Sequence, residues 1–152
     1  MHTPARERFF EDYSAGDSYV FGPISLSAAE IVEFGRRYDP QYLHVDPERA
    51  RRGPYGGLIA SGWQTISTAM RLFVDRFLPD GASLGSPGVE DLRWMKPVRP
   101  GDALRIRVTV VQTRVSKSKP DRGLVETLVE VLNGRDEVVA TMRAINFMAR
   151  RP

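Results

Sequence analysis

The chain has 152 residues, 41% hydrophobic and 27% charged, a balance that suits one folded domain with its own core across residues 1–152. Cysteine is absent and histidine occurs twice, which excludes disulfides, thiolate metal sites and cysteine nucleophiles and leaves too few donors for a typical zinc site. The formal charge is only +3, with the basic residues scattered through loops such as "RRGPYGG" and "VSKSKPDRG", so nucleic acid is not an expected partner.

No apolar run approaches the ~20 residues that span a bilayer, and "MHTPARERFFEDY" lacks the apolar core of a secretory signal. The expectation is a cytoplasmic protein with no membrane partner. "DSYVFG" reads as a first short strand. Ser27, with Glu30 three residues later, opens a helix over 27–38 that stacks Ala28, Ile31, Val32, Gly35 and Tyr38 on one stripe. Pro40 disfavours helical geometry at Asp39 and should end that helix there. "DPERARR" then suits one more short helical turn, capped by Asp46.

After the tight loop "GPYGG", Ile59, Trp63, Ile66, Met70, Phe73 and Phe77 recur at helical spacing, and Ala60, Ala69, Leu72 and Val74 widen the apolar face. This predicts a long helix that is buried on more than one side and stopped by Pro79. From residue 82 the texture changes to strands. "SPGVEDLRWMKPV", "ALRIRVTVVQTRVS", "GLVETLVEVLN" and "EVVATMRAINFMAR" predict a four-stranded antiparallel meander, with Asn133-Gly134 as one turn. A curved antiparallel sheet wrapped around one long central helix satisfies this order, an α+β hot-dog fold. Its open sheet edge predicts a homodimer joined edge to edge, and leaves further assembly open.

Asp39 and His44 are the chemistry-bearing pair. Five residues apart, they share no helix face, but a sharp turn at Pro40 lets them converge. Imidazole titrates near neutrality, and a carboxylate beside it sets its orientation and protonation. Such a pair can hold a water and move its protons, or it can be a helix cap with a local hydrogen bond.

The run "YDPQYLHVDPERARRGPYGGLIASGW" resembles the signature of the MaoC-like acyl dehydratases, the (R)-specific enoyl-CoA hydratases. That pattern sets Asp, any residue, Asn, Pro, any residue, His, any residue, Asp before an aromatic residue and a His-Gly pair. Asp39 and His44 hold its two acid–base positions, Asp46 and Ala50 fit, Tyr55 stands near the aromatic, and "LIASGW" matches the helix start. "FFEDYSAGD" and "KPVRPGDALRIRVTV" extend the resemblance over nearly the whole chain. Gln41 stands where the family often has Asn, Tyr42 where it often has Pro, and Ser61 in place of the His of His-Gly.

The resemblance implies reversible hydration of trans-2-enoyl thioesters, with coenzyme A as part of the substrate and no other cofactor or metal. It makes Asp39 and His44 catalytic and the Gly62 N–H the donor to the thioester oxygen, with Ser61 and Gln41 at the same substrate site. Gly62 suits that role, since first-turn N–H groups lack intrahelical acceptors and a missing side chain admits a close approach. Trp94 reads more readily as sheet core or dimer contact. Two other readings stay open: a thioesterase using Asp39, Glu90 or Asp91, and a non-catalytic acyl-binding module. The acyl chain, its carrier and the direction of reaction are not written in the residues.

Overall fold

Residues that alternate in the second half of the chain form β2 (Gly88–Trp94), β3 (Ala103–Val115), β4 (Arg122–Leu132) and β5 (Val138–Ala149), preceded by β1 (Ser18–Ser25). The computed structural model describes residues 3–152, so His2 lies outside the described residues. All neighbouring strands are antiparallel, in the order β1-β3-β4-β5-β2.

The expected four-stranded meander is corrected by that order. β3, β4 and β5 do form a meander, but β2 pairs with β5, from Gly88↔Ile145 to Trp94↔Ala140, and β1 takes the free side of β3. The cause lies in the connection over 95–102. Pro97 and Pro100 offer no N–H to a tight hairpin ladder, and the segment is held elsewhere. Met95 N–H donates to Val139 O, Ala60 N–H to Val98 O, and Gly101 N–H to Leu26 O. The connection therefore crosses from one edge of the sheet towards the other.

Alternation fixes the buried face. Leu104, Ile106, Val108 and Val110 of β3 all point inward, beside Val125, Val129 and Val131 of β4 and Ala140 and Met142 of β5. A helix, α4 (Gly62–Arg76), lies against them. Phe73 and Phe77, stacked with centroids 5.0 Å apart, anchor its far end. Each buried phenyl contributes roughly 1.5–3 kcal/mol. This is the hot-dog arrangement that the pattern predicts.

The helix differs from its expectation in two ways. It starts at Gly62, because residues 58–61 are not helical and their backbone bonds elsewhere, Ile59 N–H donating to Leu43 O and Ala60 N–H to Val98 O. It is also buried on one side only. Thr65, Thr68, Ala69, Leu72 and Phe73 face inward, whereas Trp63, Met70 and Val74 are exposed. Thr68 Oγ1 donates to Gln64 O (2.9 Å) and Gln64 Nε2 to Glu30 O (3.1 Å), which offsets part of the cost of burying polar groups, while Gln64 Oε1 has no partner. One sheet covers one side, and within this chain the other side stays open. Among the described residues no helix is long and apolar enough to cross a membrane.

Candidate active site

Helix α1 (Ala28–Tyr38) sets the first side chain. Ser27 and Glu30 close its start reciprocally, and Asp39 is the residue at which it ends, as Pro40 requires. The chain then makes a single-turn helix, α2 (Tyr42–Val45), with His44 near its end, before α3 (Pro47–Arg51). Asp46 caps α3 by accepting from the Arg49 N–H at 3.0 Å. Sequence patterning missed α2, a helix too short to show a period. Its placement comes from Gly35 of α1. A Cβ there would stand 2.9 Å from Val45 Cγ1 and 3.0 Å from His44 Cβ, so α2 packs directly on the bare backbone.

That packing folds His44 back onto Asp39. Nε2 of His44 lies 3.2 Å from Asp39 Oδ2, and the histidine is buried. Its Nδ1 is 2.7 Å from the Ile59 carbonyl. A carbonyl only accepts, so Nδ1 carries the hydrogen and Nε2 is the nitrogen left to exchange a proton. Ile59 thus grips α2 twice, through its N–H on Leu43 O and its carbonyl on His44.

Asp39 is bonded on both oxygens. Gln41 Nε2 donates to Oδ1 (2.8 Å) and Ser61 Oγ donates to Oδ2 (2.8 Å). Burial pushes the Asp39 carboxyl up, but the hydrogen bonds from Gln41 and Ser61, with the His44 charge, outweigh it and hold the group below its usual range. With Ser61 and His44 both on Oδ2, the open acceptor capacity of the carboxylate is on Oδ1.

Ser61, expected beside the substrate, is fully buried behind the carboxylate. It occupies the N-cap position of α4 yet makes no side-chain cap. Gly62 follows, and among the described residues its N–H meets no acceptor. Gly62 and Gln41 line a cavity of about 370 Å³ together with Asp39, His44, Tyr55 and Trp94. Trp94 was expected in the core or at a dimer contact. It is not in the core: it stands 45% exposed on the edge strand and on the wall of this cavity, with its indole against Gly62. The pairing irregularity of β2 between Glu90 and Arg93, where Asp91 has φ 51°, sets the direction of the strand just before it.

Of the carboxylates named for a thioesterase, Asp39 lies in this cavity and the other two fall elsewhere. Glu90 lines a separate hollow with Gln112 and Glu126, and Asp91 does not reach the cavity that holds Asp39. Among the described residues no cluster of histidine, aspartate and glutamate is suited to a metal ion. The cavity therefore brings a carboxylate–imidazole pair, an unbonded helix-start N–H and an apolar wall to one place. Chemically this arrangement can hold water, accept and return a proton, and polarise a carbonyl.

Comparison with known proteins places these features. The family model described as MaoC like domain matches residues 12–133. The 3-hydroxyacyl-thioester dehydratase Z of Mycobacterium tuberculosis is 34% identical over 73% of this chain and 74% of its own length. The crystal structure of a MaoC-like dehydratase from Rhodospirillum rubrum is 41% identical, covers 95% of this chain and 99% of that one, and superposes with a TM-score of 0.88. A Mycobacterium tuberculosis protein described as a double hot-dog fold shares the fold at 17% identity, with a TM-score of 0.75 over 95% of this chain and 45% of its own.

Proposed function

The chain belongs to the MaoC-like domain family, and on that footing we propose that it adds water to trans-2-enoyl thioesters and removes it from 3-hydroxyacyl thioesters. The observation that carries this reading is the Asp39–His44 contact of 3.2 Å, inside the cavity that Gly62 also lines. Its relative from Mycobacterium tuberculosis is named for the dehydration of such thioesters.

The steps follow from the geometry. Water sits against the pair, beside Asp39 Oδ1 and His44 Nε2, since Oδ2 and Nε2 are already in contact and leave no room between them. Its oxygen bonds to the β-carbon while its proton passes to the pair. The π electrons of the double bond move towards the thioester carbonyl, and the enolate oxygen takes the Gly62 N–H. A proton from the pair then bonds to the α-carbon, so H and OH are added and no electron is gained or lost. Asp39 and His44 exchange that proton as one coupled unit. Reversal gives dehydration, and the family resemblance implies (R) stereochemistry, with coenzyme A as the carrier.

The same reading makes the protein a homodimer. The outer side of β2 is a free edge, with exposed Val89 and Trp94 on it and exposed Trp63, Met70 and Val74 on α4. Mass measured by light scattering tests this, and a monomer would contradict it.

The activity is tested by following the enoyl absorbance of crotonyl-CoA while assaying free coenzyme A. Loss of the double bond without thiol release is the expected result. Thiol release with the double bond intact would instead favour the thioesterase reading.

A further inference from the structure

We propose that Trp94 is a further catalytic residue, its indole N–H sharing with the Gly62 N–H the developing charge on the thioester oxygen. This rests on the hydratase reading and adds a residue that the sequence did not offer for it.

The placement is close. A Cβ built on Gly62 would meet Cε2 and stand 2.5 Å from Nε1 and 2.8 Å from Cδ2 of Trp94, so the face of the indole's five-membered ring rests where a side chain at 62 would go. By standard backbone dimensions this sets Nε1 no more than about 5 Å from the Gly62 nitrogen. Two donors that far apart can both reach one oxygen at about 2.9 Å.

The ring is also held. Trp63 packs edge-on against it, with centroids 5.1 Å apart and planes at 78°. Met95, the next residue, is fixed by its N–H on Val139 O. The donors bonded around the cavity are Gln41, Ser61 and His44. The indole N–H is not among them. A polar donor placed on the wall of a cavity, beside a second unbonded donor and across from an acid–base pair, is positioned for a carbonyl oxygen.

This gives Gly62 a twofold role. Its missing side chain makes room for the indole, and its N–H works beside that indole. The net step is unchanged: the oxygen takes two hydrogen bonds as the enolate forms and gives them up when the α-carbon is protonated.

The test replaces the Trp94 indole with benzothiophene, by site-specific incorporation of benzothienylalanine, which keeps the bicyclic shape but puts sulfur in place of N–H. Trp94→Phe serves as a second variant. The first reading is hydration kinetics on crotonyl-CoA, where kcat should fall about 10²-fold with KM little changed, the mark of a contact made in the transition state. The second is the infrared band of an isotope-labelled crotonyl thioester carbonyl bound to the inactive Asp39→Asn protein. It should move to higher frequency when the N–H is removed.

A fall in kcat without a band shift would reduce Trp94 to packing and overturn the assignment. An active wild type, an inactive Asp39→Asn and an undiminished benzothienyl variant would overturn it alone and leave the hydratase reading standing. A wild type inactive on every enoyl thioester would overturn both.

Discussion

Two helices in this chain start behind a serine, and the serines do different things. At Ser27 the hydroxyl accepts the Glu30 N–H at 3.1 Å and the Glu30 carboxylate takes the Ser27 N–H, so the start of α1 is closed. At Ser61 the hydroxyl turns away and donates to Asp39, and the start of α4 keeps no side-chain cap. An N-cap is worth about 1 kcal/mol. At α1 that stability is collected. At α4 it is forgone, the first turn keeps no side-chain acceptor, and the carboxylate gains a donor. The same residue at the same helical position thus serves folding at one helix start and the cavity at the other.

The largest test of this contrast removes the acid–base pair outright. Asp39→Asn and His44→Ala are each expected to lower the hydration rate by about 10²–10⁴-fold, the range for a positioned acid or base. Neither should prevent folding, which thermal melting checks.

Gly35→Ala probes the positioning of that pair from outside the cavity. The added methyl meets Val45 and His44 at about van der Waals overlap, so α2 must shift. The expected cost is about 1–3 kcal/mol of stability, and activity should fall even though residue 35 touches no substrate. Urea denaturation beside the crotonyl-CoA assay separates the two effects.

Ser61→Ala is expected to do less, lowering activity by about 10-fold through loss of one charge-assisted hydrogen bond to Asp39. Its sharper signature is in pH. The Asp39 carboxyl is held below its ordinary range, in part by Ser61, so this group contributes stability above the unfolded carboxylate pKa that is lost as pH falls through the lower folded value. Without the hydroxyl, the folded value rises and the acid limb of the rate profile moves to higher pH. Stability near neutrality drops in the same direction.

Ser27→Ala gives the smallest effect and the opposite pattern. Stability falls by about 1 kcal/mol, while the pH profile and kcat stay as in the wild type. If Ser27→Ala moved the pH profile, or Ser61→Ala did not, the contrast between the two serines would collapse.

How much of this was written in the sequence differs from feature to feature. Capping at Ser27, the helix end at Asp39 and the strand alternation of β3 are local, decided by residues a few positions apart, and they were legible. The pairing of β2 with β5 was not, because residues 46 to 57 positions apart in the chain decide it through the crossing segment at 95–102. The seam of α4 misled for a related reason. Trp63 and Met70 have the right spacing for a core, but burial depends on which side the sheet wraps, and bonded Thr65 and Thr68 take the inner side.

At the site, the spacing of Asp39 and His44 and the family signature named the pair, and Gln41 and Gly62 lie in the same cavity. The contact of Ser61 with Asp39 was hidden because an N-cap serine ordinarily caps. Trp94 was hidden because it stands on an edge strand whose direction is set by an irregularity at Asp91. A glycine directly before a tryptophan at a helix start, with a second tryptophan in a later strand, was the available signal. It says nothing of contact until the fold brings the two together.

The central claim is that Asp39 and His44 move the protons of water onto an enoyl thioester. It is tested most directly by the rate of double-bond loss from crotonyl-CoA, measured for the wild type and for Asp39→Asn at matched thermal stability. The account predicts hydration by the wild type and near-complete loss in the variant, with the thioester bond intact in both. Hydration that persists undiminished in Asp39→Asn would contradict it.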